Sequence, residues 1–383
     1  MAPKPILVID ARMVKPVPDG MVLYVCGLVQ GLGELQIERE LDYEPVLMVS
    51  PQEKGRLDRG EVKWNQGFRT ETVAAPFLNP REWIEIPAAL KKIKANLYHS
   101  PTFSSLPYCP CPAIITIHDL NHLIYGSWDK KLYYRFVLKP FARRAAQVLS
   151  VSETAAREVE AWLGKQNCHG GVGVALNSVE PSRMDVEAGF LEARNLKSGQ
   201  YFLCMANAKA HKNVALLLRA FLRYVRNRKK ANRPPWSLVL STDFQGLTPD
   251  EKGEIAPFAV ASEGMGPKDY QPLFAAAGGV LWPSLYEGFG RPPVEAALAG
   301  KNLAVSDIPV HREVLSDLKI GEALWVEATR EEAWTEAMDL ISNGMKSCGA
   351  SAETQQALAV RFSSLALGKR MDHYYRYVLR GLN

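Results

Sequence analysis

Short apolar runs alternate along the chain with longer stretches in which apolar residues recur at helical spacing, and this alternation sets the first expectation for the fold. Residues 5 to 10 form the first run, Ile6-Leu7-Val8-Ile9 leading to Asp10, and a loop with Pro16, Pro18 and Gly20 delivers the chain to an amphipathic segment from about Val22 to Leu32. That is the opening strand–helix unit of a doubly wound α/β domain. Runs at 45–49, 96–101, 114–120 and 147–152 predict further strands. Helices are expected at 83–95 and at 153–163, the second capped by Ser152. The polar stretch 52–66 reads as loop or edge, and a long helical pattern between Trp128 and Leu149 is interrupted at Pro140. A glycine-rich stretch, 167–173, precedes a restart of the same pattern. Strands are expected at 200–205, 236–241, 279–282 and 302–307, and 256–261 precedes the next helix without an assignment. A helix opens at Val214, with Val214, Leu217, Leu218, Phe221 and Val225 on one face, and others are expected at 269–276, from about Arg330, from about Ala352 and at 362–379. Gly264–Gly266 reads as a turn. No period of 20 to 50 residues recurs, which excludes a solenoid.

The boundary between the two halves falls near residue 178, so 1–178 and 179–361 are expected as two Rossmann-like domains of an α/β protein. Length allows this: 383 residues, 47% hydrophobic and 23% charged, are enough for two sizeable cores, and they exclude disordered and fibrous classes. No signal-peptide pattern opens the chain and no later apolar run reaches the length of a membrane span, so a cytoplasmic protein is expected. The six cysteines are scattered and expected as free thiols. Cys109-Pro110-Cys111 lacks a second ligand pair for zinc, and no metal site is expected. A net charge of +5 is mild and gives no reason to expect nucleic acid.

Chemistry concentrates in Pro283–Ala297. The end of a buried strand runs into Glu287, a Gly288-Phe289-Gly290 turn, and Pro292-Pro293, which suit the first turn of a helix. A helix N-terminus approached through glycines is an anion site. Two acids beside it, Glu287 and Glu295, make sense as acceptors for hydroxyl groups. A lysine in the loop before the helix at Val214, Lys212, is placed to meet a phosphate. The apolar run 114–120 carries His118-Asp119 at its carboxyl end, where open parallel sheets bind ligands.

The string Ser-Leu-Tyr-Glu-Gly-Phe-Gly followed by Pro-Pro-Val-Glu-Ala resembles the E-x7-E signature of the family-4 (group 1) retaining glycosyltransferases, mannosyltransferases among them, which have the GT-B fold of two Rossmann-like domains about a central cleft. Thr116-Ile117-His118-Asp119-Leu120 and His211-Lys212-Asn213 resemble two further motifs of that family, and 310–314 resembles one of its turns. The resemblance implies that His118 and Glu287 face the transferred sugar, with Asp119 orienting His118. It implies that Glu295 holds the ribose of the donor, and that Gly20, Lys209, Lys212, Phe289, Gly290 and Arg291 complete the donor site. It also implies that 362–383 is a terminal helix crossing back onto the first domain. The implied reaction moves a hexose from a nucleoside-diphosphate sugar, a co-substrate rather than a cofactor, to a glycan or lipid-linked acceptor without a metal. The chain departs from the family at Val22 and Leu23, where glycine and arginine are usual, and at Ala208, where arginine is usual; Lys209, His211 or Arg291 would supply the missing charge. A phosphorylase or hydrolase of similar fold is one rival, and these departures keep a second in view: a degenerate transferase that only binds a sugar nucleotide or scaffolds glycan assembly. The basic residues Lys130, Lys131, Arg135, Lys139, Arg143 and Arg144, set among Leu132, Tyr133, Phe136 and Phe141, are expected as the solvated face of a core-packing helix. A peripheral membrane contact for a lipid-linked acceptor is the alternative.

Overall fold

The computed structural model describes residues 3–17, 19–164, 171–180, 186–244, 246–261, 267–344 and 348–381. Pro18, the Gly264–Gly266 turn and most of the glycine-rich stretch lie outside them. The backbone divides into two compact units, residues 1–179 with 362–383, and Glu180–Arg361.

In the first unit seven parallel strands, β1 (Ile6–Asp10), β2 (Glu44–Val49), β3 (Arg69–Thr72), β4 (Leu97–Ser100), β5 (Ala113–Thr116), β6 (Gln147–Ser150) and β7 (Val172–Val174), stand in the order 3-2-1-4-5-6-7. Their helices are α1 (Gly20–Glu38), α2 (Pro51–Asp58), α3 (Glu82–Lys92), α4 (Asn121–Ile124), α5 (Trp128–Tyr133), α6 (Lys139–Arg144) and α7 (Glu153–Leu163). Val8, Val46, Tyr98, Ile115 and Val148 bring the central strands into a core closed by Ile86, Leu138 and Val159 from the helices. Parallel strands covered on both faces carry near-continuous apolar runs, which is why these strands were legible.

Three expectations in this unit change. The stretch 52–66 does not stay irregular but opens with α2, capped by Ser50, whose Oγ accepts from the Glu53 N–H at 3.2 Å, with Pro51 in the first turn. The buried position of α2 is Glu53, held by Trp64 Nε1 at 2.8 Å and Arg56 Nη1 at 2.7 Å, so no apolar period announces the helix. Pro140 does not break the 128–144 helix. A wide π turn, Tyr134–Leu138, in which the Lys139 N–H reaches back five residues to Tyr134 O, places the proline in the first turn of α6, where its missing N–H costs little. Third, α1 runs to Glu38 and, with 19 residues of mean hydropathy 1.3, is long and apolar enough to cross a membrane by length and composition. It is instead the central helix of this unit, with Val25, Leu28, Val29 and Leu32 fully buried.

The partner of α1 is the last helix, α15 (Ser364–Arg380). Their backbones nearly touch: a Cβ at Gly31 would stand 1.9 Å from Ser364 O, and one at Gly368 would stand 2.4 Å from Gly31 O. Buried polar contacts pin the same helix. Asp372 accepts from the Tyr43 hydroxyl at 2.9 Å, and the Tyr375 hydroxyl lies 2.7 Å from His99 Nδ1, with His99 Nε2 3.0 Å from Thr116 Oγ1. Burial, with a smaller push from His118, drives the His99 pKa down to about 3, so the ring stays neutral.

The second unit has six parallel strands in the order 10-9-8-11-12-13: β8 (Tyr201–Cys204), β9 (Ser237–Leu240), β10 (Ala259–Ala261), β11 (Gly279–Trp282), β12 (Leu303–Ser306) and β13 (Leu324–Val326). Its helices are α8 (Val214–Lys230), α9 (Pro249–Ile255), α10 (Pro267–Ala276), α11 (Arg291–Leu298), α12 (Pro309–Val314), α13 (Glu331–Ser342) and α14 (Ala352–Arg361). Three elements were not expected, β10, β13 and α9, although α9 begins with a reciprocal Thr248–Glu251 capping box readable as T-x-x-E. The 310–314 stretch, expected as a turn, is α12.

Candidate active site

In the second sheet the strand order reverses between β8 and β11, and such a reversal opens a crevice at the carboxyl ends of the two strands. Both key loops leave from there. The chain after β8 passes through a single 3₁₀ turn, Ala210–Lys212, and Asn213, left-handed at φ 57°, then enters α8. Asparagine tolerates that conformation, and its Nδ2 donates to Ala328 O at 2.7 Å. The chain after β11 turns through Glu287 and Gly290 into α11. One main-chain bond ties the two loops together, Leu285 N–H to His211 O at 2.7 Å.

That bond sets Lys212 against Glu287. The Nζ lies 2.6 Å from Glu287 Oε1, and the same oxygen accepts from Ser284 Oγ at 2.8 Å and Trp282 Nε1 at 3.0 Å. The ammonium also lies 5.1 Å from the centre of the Trp282 ring. Oε2 has no hydrogen-bond partner among the described residues. Burial by itself would raise the Glu287 carboxyl, but Lys212, aided by His311 and Ser284, outweighs it and holds the group below the usual glutamate range. The carboxylate is therefore ionised and aimed.

Gly290 caps α11 at φ 84°, and a Cβ there would lie 3.0 Å from Cδ2 and Nε2 of His311. His311 is fully buried and its Nδ1–H donates to Ser306 O at 2.9 Å. Gly290→Ala is expected to cost about 1–3 kcal/mol of stability in urea unfolding, more than Gly321→Ala, because Gly321 shares a positive φ of 90° but has open space around it. Equal losses would show that the His311 ring does not limit this turn. Pro292 and Pro293 bring no N–H to the helix end, so this end offers an anion fewer donors than the sequence argument assumed. The cations carry correspondingly more weight.

Arg291 Nη2 lies 3.6 Å from Glu295 Oε1, while the Tyr270 hydroxyl, from α10, donates to Glu295 Oε2. Burial lowers the Arg291 guanidinium, with Glu295 and Tyr270 opposing. Lys209 is exposed, with no ion pair among the described residues, and Ala208 beside it is exposed too. Phe289 is buried, so its ring packs inside the unit and only its main chain is left to meet a ligand; His211 is buried as well.

In the first unit His118 follows β5. Its Nε2 lies 2.9 Å from Pro101 O, and because a carbonyl only accepts, Nε2 carries the hydrogen and Nδ1 keeps its lone pair. Burial lowers the pKa, and the ring meets Tyr24 edge to face at 4.8 Å. Pro101 and Tyr24 orient it; Asp119 accepts from the Asn121 N–H at 2.9 Å at the start of α4. Gly20 is the exposed first residue of α1, whose cap is Asp19. Val22 is buried, filling a core position.

Sequence reasoning missed Tyr270, Trp282 and Ser284, the donors to the two glutamates; only Ser284 had a local signal, standing three residues before Glu287. It also missed a buried cluster at the strand-order reversal of the first sheet. There Arg12 Nη2 donates to Asp10 Oδ2 at 2.8 Å and Glu82 Oε2 at 3.0 Å, and Tyr98 donates to Asp10 at 3.1 Å. Among the described residues no group of three or more His, Cys, Asp or Glu is placed to hold a metal ion.

Comparison with known proteins places these features in a family. The model for glycosyltransferase family 4 matches residues 18–172 and that for group 1 glycosyl transferases matches residues 199–343. The O-antigen chain mannosyltransferase RfbU of Salmonella typhimurium is 28% identical over 235 residues, 59% of this chain and 60% of that protein, so the match spans about three fifths of the relative's length. Among solved structures, sucrose-phosphate synthase from Thermosynechococcus elongatus superposes with a TM-score of 0.70 at 14% identity, covering 99% of this chain and 100% of that one. Anabaena HepE, solved in complex with UDP and glucose, gives 0.66 at 14% identity, covering 97% and 99%. At that identity the likeness shows the fold, the GT-B architecture with its two parallel sheets. With one family model over each half of the chain and the E-x7-E glutamates at the carboxyl end of the second sheet, the protein belongs to the family-4, group 1 glycosyltransferases.

Proposed function

We propose that this protein transfers a hexose, mannose being the first candidate, from a nucleoside-diphosphate sugar to a hydroxyl of a glycan or lipid-linked acceptor, with retention at the anomeric carbon and without a metal ion. The observation that carries the reading is the Lys212–Glu287 pair at 2.6 Å, a cation and an ionised carboxylate fixed at the strand-order reversal. The named activity of the Salmonella relative supports mannose and a glycan acceptor, and the UDP and glucose held by the Anabaena neighbour support a nucleotide-sugar donor.

Each residue then has a task. Lys212 exchanges Glu287 for the diphosphate and stabilises it as it leaves. Glu287, still held by Trp282 and Ser284, accepts a hydroxyl of the hexose, and Glu295 exchanges Tyr270 or Arg291 for the ribose. His118 offers the Nδ1 lone pair to a sugar hydroxyl, and Lys209 supplies the charge that Ala208 does not.

Calorimetry with GDP, UDP and the bare nucleosides tests this. Lys212→Ala is expected to weaken diphosphate binding by about 1.5–3 kcal/mol and leave nucleoside binding nearly unchanged. Equal losses for both would remove Lys212 from the phosphate site. Transfer from labelled nucleotide sugars, with and without EDTA, then separates an enzyme from a protein that only binds, and a metal-free site from one that needs a metal.

A further inference from the structure

The segment after His118 packs on the core and exposes its cations as the sequence suggested, but it also exposes part of its apolar face. Tyr134, Leu138 and Phe141 are buried, but the larger apolar groups beside them are not: Trp128 is 75% exposed and Phe136 64%, with Leu132 between them and Ile124 and Tyr125 just before. Trp128, Leu132 and Phe136 recur at every fourth residue, which sets them along one side of α5 and the π turn. Lys130, Lys131 and Arg135 are exposed among them. Between residues 121 and 144 six basic residues meet a single acid, Asp129. Burial lowers the Lys139 ammonium and Arg143 and Arg135 lower it further, so the cations of this segment stand close enough to repel one another.

We propose that this face docks the protein on a membrane surface rich in anionic lipid, with Trp128, Leu132 and Phe136 entering the headgroup level and Lys130, Lys131 and Arg135 meeting lipid phosphates. The pairing of exposed aromatic and aliphatic groups with a cationic rim fits a bilayer interface. A second copy of this chain fits poorly, because a two-fold contact would set the same cations against themselves. The exposed Ile124 follows His118 by six positions, so docking would bring a lipid-linked acceptor to the His118 end of the sheet. That corollary rests on the transferase reading; the docking does not, and its test uses no sugar.

The test is co-sedimentation of the full chain with phosphatidylcholine vesicles, with and without phosphatidylglycerol, at low and high salt. Binding is expected only with phosphatidylglycerol and to weaken with salt. The triple variant Lys130→Glu, Lys131→Glu, Arg135→Glu should bind on the order of a hundredfold more weakly, and Trp128→Ser with Phe136→Ser about tenfold or more. Ile320→Ser, at an exposed apolar residue in the other unit, should bind as wild type. Thermal melts should be unchanged, since the altered side chains are exposed. The proposal is overturned if wild type stays in the supernatant with phosphatidylglycerol, or if both multiple variants sediment like wild type. It is also overturned if, without lipid, wild type sediments as a dimer that the Trp128/Phe136 variant dissolves.

Discussion

Glu287→Gln is expected to slow sugar transfer on the order of a hundredfold or more while free nucleoside diphosphate binds at least as tightly as to the wild type. The amide keeps the shape of the carboxylate and can still accept from Trp282 and Ser284, which donate at 3.0 and 2.8 Å. What it loses is the charge that Lys212 and its neighbours hold ionised in a site where the side chain is 11% exposed. A buried, fixed charge is worth most where the reacting centre becomes electron-poor, so the loss falls on turnover. Lys212 meanwhile faces a neutral amide oxygen at its 2.6 Å contact, and a diphosphate no longer competes with a carboxylate for it. Single-turnover transfer and calorimetry on the same preparation read the two effects. A folded Gln variant that transfers at the wild-type rate removes Glu287 from the chemistry, and one that binds diphosphate more weakly would mean that Glu287 contributes to the anion site instead of holding its lysine in reserve.

How far the sequence speaks depends on how far apart the interacting residues lie. Strands such as β1 and β11 are legible because both faces are covered and the runs are apolar throughout. Glu287, Gly290 and Glu295 are legible because the turn and the helix start are local, and the left-handed φ of 84° at Gly290 is the kind of demand that only a glycine advertises. The charged position inside α2 defeats periodicity, since Glu53 is buried through partners rather than through apolar character. Tyr270, the donor to Glu295, is silent for a different reason. Tyr270 reaches Glu295 from another helix, 25 residues away, and no spacing rule announces such a pair. The exposed Trp128 and Phe136 show the converse: apolar period and cationic interleaving were visible, but not which of the apolar residues face the core.

The buried cluster of Asp10, Arg12 and Glu82 is the most distant of these contacts, spanning 70 residues, and it carries the second large expectation. Arg12→Met should destabilise the protein by about 3–5 kcal/mol at neutral pH. The guanidinium is 1% exposed and satisfies both carboxylates and Ala75 O, the last at 2.9 Å, so removing it strands two buried acids. Burial already raises the Glu82 carboxyl in the wild type, with Arg12 pulling it back down. Without that pull, the folded-state value of Glu82 rises further above that of the unfolded chain. A carboxyl raised on folding costs nothing while both states are protonated. It removes stability as pH climbs through the unfolded value, near 4, and the loss levels off above the folded one. The deficit measured by urea unfolding should therefore be small near about pH 4 and full at neutral pH. Adding Glu82→Gln to Arg12→Met should recover part of it. A deficit that does not change with pH would mean that Arg12 acts by filling space, and that its charge has no part in holding the first sheet at its strand-order reversal.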